Sequence, residues 1–221
     1  HIIPVGDLDA EAFMAGGCGL PTALHAVERA EIRLADTVLV LGAGPVGLSA
    51  VILAKMSGAL RVLCIGAPEL RLEAARAVGA DATLSIETTS PEERLAWVLE
   101  HTGGRGADVT IEAAGAPEAV VQAMRFTRDA GRVVVVGQYT DHGDVAFNPH
   151  ADLNRKHLDV RGCWGSDYSH FYRAVRLMRD PSRSRPWSAL PLERFGLARA
   201  NAALDAVAAG RVVKALIDPK A

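Results

Sequence analysis

Between residues 37 and 178 the chain alternates two hydrophobic rhythms. Short runs are apolar at nearly every position, as in Thr37–Leu41 (TVLVL) and 61–65 (RVLCI). Between them lie stretches that are apolar on one helical face. A short, continuously apolar run fits a strand buried on both faces of a parallel sheet, and apolar positions three and four apart fit a helix. The pattern predicts strands at Thr37–Leu41, 61–65, 82–86, 109–112, 132–136 and 158–162, and helices at 48–56, 69–78, 91–101, 117–127 and 169–178. Gly79 stops the helix whose apolar face is Leu72, Ala75 and Val78. Ser90-Pro91-Glu92-Glu93 supplies a capping serine, a proline suited to a first turn and a glutamate that reaches back. Strands alternating with helices imply βαβ units, hence a doubly wound α/β domain from about residue 22 to 185. The segment DPSRSRPWSALP (180–191) reads as a linker, followed by an Ala-rich helix at 196–209 and a last strand at 212–217. The first 22 residues also stand outside the alternation.

Composition narrows the function classes. Of 221 residues, 49% are hydrophobic and 23% charged, as in an ordinary globular domain and unlike a disordered chain. A net charge of −2 argues against a nucleic-acid partner. No apolar run approaches the ~20 residues that span a bilayer, so no membrane is expected. The opening HIIPVGDLDAEAF lacks the basic-then-apolar pattern of a signal peptide. Three cysteines (18, 64 and 163) make no disulfide framework and point to a reducing cytoplasm. Cys64 in a strand and Cys163 just after one read as core residues.

The strongest chemical signal is Gly42-Ala-Gly44-Pro45-Val46-Gly47, between a predicted strand and a predicted helix. In that context Gly42 makes the tight turn, Gly44 admits a pyrophosphate and Gly47 lets helix pack on strand. The helix N-terminus then offers free N–H groups to the anion. The acid that accepts from the ribose 2′-hydroxyl should lie ~20 residues on, and that position is Gly66 in Ile65-Gly66-Ala67-Pro68. Glu69 and Glu73 are expected to face solvent, and Arg71, a turn later, reads as surface. Weak discrimination follows, with NAD slightly preferred over NADP.

The segments TVLVLGAGPVGLSAVILAKMSGA, RLEAARAVGADATL, GGRGADVTIEAAG, AGRVVVVG and AAGRVVKALIDP resemble the zinc-dependent alcohol dehydrogenases of the medium-chain dehydrogenase/reductase family. The resemblance covers nearly the whole chain, with the motifs in order at family spacing. It implies a Rossmann domain that passes hydride between a small alcohol and NAD or NADP. By resemblance, Gly16–Thr22 is the segment carrying the last protein ligand of the catalytic zinc: Cys18 would be that ligand and Thr22 would lie by the nicotinamide. Val46 would pack behind the ring, Val136, Gly137 and Cys163 would be its backbone neighbours, and Lys214 would reach the pyrophosphate. Strands near 145–147 and 158–160 would pair across the axis of a homodimer or homotetramer.

Family members also begin with a GroES-like domain that holds the other zinc ligands, and nothing here looks like it. The seven histidines form no HExxH, and no CxxC is present. A catalytic zinc needs three protein ligands and an open position, so Cys18 alone cannot hold it. The resemblance therefore implies the C-terminal portion of a longer enzyme, with residues 1–22 and 185–221 as remnants of the catalytic domain around a Rossmann domain at 23–184. Two alternatives stay open: a zinc-free NAD(P)-dependent reductase of the same superfamily, and a nucleotide-binding module without catalysis. Trp164 and Tyr168 either shape the cleft or merely pack, and His150 and His157 read as a solvated connection rather than a metal site.

Overall fold

The apolar runs become one parallel sheet. Its strands are β1 (Thr37–Leu41), β2 (Arg61–Gly66), β3 (Ala82–Ser85), β4 (Ala107–Glu112), β5 (Thr127–Val135) and β6 (Asp159–Gly162). Their order is β3-β2-β1-β4-β5-β6, with Val38 facing Val62 on one side and Val109 on the other. The computed structural model describes residues 2–220, the Ala12 side chain apart; His1, in the expected leading remnant, and Ala221 lie outside them. The helices of the alternation are α3 (Pro45–Met56), α4 (Glu69–Ala77), α5 (Pro91–His101), α6 (Pro117–Phe126) and α7 (Tyr168–Met178), preceded by α1 (Ala10–Gly16) and α2 (Gly19–Ala30).

Alternate residues of each strand enter opposite cores. Val38, Val40, Val62 and Cys64 pack with Ala26 of α2, Val51 of α3 and Leu72 of α4. Leu39, Leu41, Leu63 and Ile65 pack with Val98 of α5 and with Ala123 and Phe126 of α6. Two buried faces explain why these strands show no polar alternation. The capping box at the start of α5 is formed, with Ser90 Oγ accepting from Glu93 N and Glu93 accepting from Ser90 N.

Several elements differ from the sequence reading. Helix α3 starts at Pro45, three residues earlier than expected, because Gly44 takes the N-cap and proline suits the first turn. Strand β5 starts at Thr127, which pairs with Ala107 before a register shift, and Arg132 then resumes against Val109. Helices α1 and α2 were not anticipated. Helix α2 packs on α3 and the sheet through the small residues Ala23, Ala26 and Ala30, and it runs across the division expected after residue 22. No strand forms near 145–147, where β6 is already the edge and no neighbouring strand offers a ladder.

The segment 180–191 is not a linker. It folds as α8 (Pro181–Ser188), with the Asp180 side chain accepting from Ser182 N as cap. Trp187 is 0% exposed, and its Nε1–H donates to Ser49 Oγ of α3 at 3.1 Å. Beyond it, β7 (Leu192–Gly196), also unanticipated, pairs in parallel with β8 (Lys214–Asp218), and α9 (Ala200–Ala208) lies between them in the chain. These enclose a separate small core of Phe195, Ala203, Ala206 and Val212.

Trp187 therefore anchors α8 to the main domain. Trp187→Ala is expected to cost about 3–5 kcal/mol in urea unfolding, the range for deleting a buried aromatic. A loss under about 1 kcal/mol would show that the segment collapses around the cavity instead.

Candidate coenzyme and catalytic cleft

The strand order reverses between β1 and β4, and doubly wound sheets bind ligands outside the carboxyl ends of the strands at such a switch point. Here the reversal is built by backbones that touch without side chains between them. Gly42 has φ +105°, and a Cβ there would lie 2.7 Å from the Ala113 carbonyl oxygen beyond β4. A Cβ at Gly47 would run into the Gly42 carbonyl oxygen, and one at Gly66 would lie 2.8 Å from Ala43 N. Hydrogen bonds tie the same ends together: Gly42 N donates to Ile65 O at 2.8 Å and Ala113 N to Leu41 O at 2.7 Å. Gly44 is the exception, since a Cβ there would meet nothing within 4 Å. The open space above Gly44, at the N-terminus of α3, fits a pyrophosphate.

Two hollows open along this edge and meet at Ala113. One, of about 420 Å³, is lined by Gly42, Gly44, Gly66, Arg71, Arg94 and Gln122 among others. The second, of about 610 Å³, includes Cys18, Thr22, Val46, Val136, Gly137 and Phe171. The cleft thus gathers most of the residues singled out in the sequence, with Pro45 and Gly47 in the first turn of α3 behind it. Cys18 is exposed at the N-cap of α2, and Thr22 Oγ1 donates to its carbonyl oxygen at 3.0 Å. Gly19 sets α2 against the glycine loop, since a Cβ there would lie 3.0 Å from the Pro45 carbonyl carbon.

Cys163 and Lys214 line neither hollow. Cys163 is buried, its N–H donates to Val135 O at 2.8 Å, and burial pushes its thiol up to about 11. Lys214 packs against Gly17 and donates to Gly16 O at 3.3 Å; burial lowers its pKa, opposed by the nearby Cys18. Tyr139 lines the second hollow, stacked on Trp164 at 4.9 Å, whereas Tyr168 stacks on Tyr172. Among the described residues no group of three or more His, Cys, Asp or Glu could hold a metal ion. The donor set of these residues therefore does not fit a zinc site by itself.

Sequence reasoning missed Glu112, which lies at the end of β4 and is 0% exposed. Its Oε1 accepts from Ala114 N and Gly115 N, each at 2.8 Å, and its Oε2 from Gly137 N at 3.1 Å. One carboxyl thus clamps the loops after β4 and β5, which floor both hollows. The signal was a carboxylate at the buried end of the run Val109-Thr110-Ile111, a position that rarely holds a charge unless it has partners. Gln138 Nε2 and Arg71 Nε are buried without a hydrogen-bond partner among the described residues.

Burial pushes the Glu112 carboxyl above its ordinary 4.5, while its three N–H donors act in the opposite direction. A carboxyl whose folded pKa is raised stabilises the fold below the unfolded pKa, and that contribution is lost as pH rises through the folded value. The unfolding free energy of the protein relative to Glu112→Gln is therefore expected to be flat well below pH 4.5 and to decline above it. A difference unchanged across that window would show that Glu112 titrates normally.

The chain matches the family model described as zinc-binding dehydrogenase over residues 45–180. It is 39% identical over 209 residues to 5-exo-hydroxycamphor dehydrogenase of Pseudomonas putida, covering 94% of this chain and 58% of that protein. An alcohol dehydrogenase of Thermotoga maritima superposes with a TM-score of 0.86 at 32% identity, covering 98% of this chain and 58% of that one. A Sinorhizobium meliloti protein bound to NADP superposes with a TM-score of 0.74 at 28% identity, covering 91% and 57%. The chain thus spans little more than half the length of the relatives it matches. With the family model covering more than half of its residues, from the glycine loop through α7, the chain belongs to the zinc-binding dehydrogenase family.

Proposed function

We propose that the chain is the coenzyme-binding part of an oxidoreductase that converts an alcohol and NAD(P)⁺ into a carbonyl compound, NAD(P)H and a proton. The observation that carries this reading is the open space above Gly44 at the N-terminus of α3, in a family of dehydrogenases. Supporting it are the named activities of the relatives, which include hydroxycamphor, erythritol/L-threitol and sorbitol dehydrogenases, and the NADP bound to a structural neighbour. The bound nicotinamide supplies the hydride acceptor.

The residues of the chain bind and orient. The first N–H groups of α3 have no intrahelical acceptor, so they and the positive end of the helix face the pyrophosphate. Val46 closes one side of the second hollow and Val136 another, giving the ring an apolar seat from which water is displaced. Thr22 lies beside that seat with its hydroxyl proton already given to Cys18 O, so its oxygen is left to accept. Cys18 is proposed as one thiolate ligand of zinc. The remaining donors must come from outside the described residues, and no step is drawn through the metal. The free edge of β6 is the proposed pairing surface for a second copy. The three free thiols support a reducing compartment such as the cytoplasm.

A small substitution tests the carrying observation without breaking the fold. At Gly44, φ is −79°, so Gly44→Ala suits the backbone and clashes with nothing. Its methyl group would occupy the space reserved for the pyrophosphate. Calorimetry is expected to show at least about a tenfold loss of dinucleotide affinity with thermal unfolding unchanged within ~2 °C. Equal affinity in both proteins would remove the coenzyme from this loop. Oxidation of assorted alcohols by the 221 residues alone would overturn the claim that catalysis needs donors from elsewhere.

A further inference from the structure

We infer that the hollow beside β2 is built for a ribose 2′-phosphate, so that the chain takes NADP(H) in preference to NAD(H). This rests on the dinucleotide reading and reverses the slight preference for NAD expected from the sequence. A selective NAD site carries a carboxylate at the end of β2 that accepts from the 2′-hydroxyl and repels a phosphate there. That place is Gly66, and the structure shows why a side chain is absent. A Cβ would lie 2.8 Å from both Ala43 N and Ala43 Cβ, so an acid could enter only by displacing the glycine loop.

Two guanidinium groups open on the same hollow, Arg71 from the first turn of α4 and Arg94 from α5. The Arg71 side chain has no hydrogen bond or ion pair among the described residues, and its Nε is buried. The residue as a whole is half-buried. Arg94 is held by three neutral acceptors: Ser90 O at 3.1 Å, Gln122 Oε1 at 3.0 Å and Thr89 O at 3.1 Å. These fix its plane without compensating its charge, and they leave two of its five N–H donors unspent. Of the two acids nearest Arg71 in the sequence, Glu69 is engaged by Arg76 at 2.6 Å, and Glu73 is exposed and does not line the hollow. Glu118 also lines the hollow and opposes an anion, but it is exposed in the first turn of α6. Two uncompensated cations against one solvated carboxylate leave the hollow net positive. A dianionic phosphate is the group that satisfies planar N–H donors with charge-assisted hydrogen bonds.

The test is calorimetry of the 221-residue chain with NADPH and with NADH, on the native protein and on Arg71→Ala and Arg71→Lys. NADPH is expected to bind at least about tenfold tighter than NADH, with the advantage shrinking as salt is raised. Arg71→Ala should remove most of that advantage, lowering NADPH affinity far more than NADH affinity, and Arg71→Lys should restore part of it. NADH binding as tightly as NADPH, or an advantage that survives Arg71→Ala, overturns this inference and leaves the dinucleotide reading standing. Failure of both dinucleotides to bind overturns both.

Discussion

The cleft depends on peptide backbones approaching more closely than side chains allow. Gly42 touches the chain beyond β4, Gly66 touches Ala43, and Gly47 lies on the Gly42 carbonyl. These contacts bring the carboxyl ends of three strands and the start of α3 into one small volume. Since protein interiors are close-packed, a methyl group at any of these points would have to move an element rather than a side chain. The same economy continues into α2, where Gly19 lies against Pro45. That contact delivers Cys18 and Thr22 to the rim of the second hollow, although both lie outside the strand–helix alternation.

Electrostatics then divides the donors of this edge between structure and ligand. Glu112 consumes the N–H groups of Ala114, Gly115 and Gly137, which would otherwise point an array of positive dipoles into the cleft. What remains for an anion is the first turn of α3 on one side and the two guanidinium groups on the other. Burial raises the pKa of this carboxyl, the three N–H donors act in the opposite direction, and the clamp holds the two loops together.

The sheet was legible because β1 and β2 are nearly continuous apolar runs between turn signals, and their two buried faces leave no competing period. Thr37–Leu41 and the Ser90–Glu93 capping box were read directly from such local chemistry. Helix α2 was not, because it packs through alanines and glycine, whose small side chains carry little periodic signal. Helix α8 was hidden by a composition typical of loops, and only Trp187, with a partner 138 residues away, reveals its burial. The glycine loop was readable as a motif. The roles of Arg94 and Glu112 were not, because each depends on which strand end a distant loop meets. Arg71 was judged by its distance along the chain from Gly66, whereas the first turn of α4 folds it back over the same hollow.

The distribution of these residues along the chain separates binding from chemistry. The proposed dinucleotide cradle draws on the ends of β1, β2, β4 and β5 and on the starts of α3, α4 and α5. The groups assigned to chemistry, Cys18 and Thr22, lie on a helix that leads into that sheet, and both precede the stretch matched by the family model. The donors proposed for the coenzyme are thus fixed by strand ends and helix starts of the described fold. Proton transfer is different. Thr22 is already bonded to Cys18 O, and the second hollow has no carboxylate or imidazole among its lining residues. For the proposed reaction, the group that takes the alcohol proton is therefore to be sought beyond that lining.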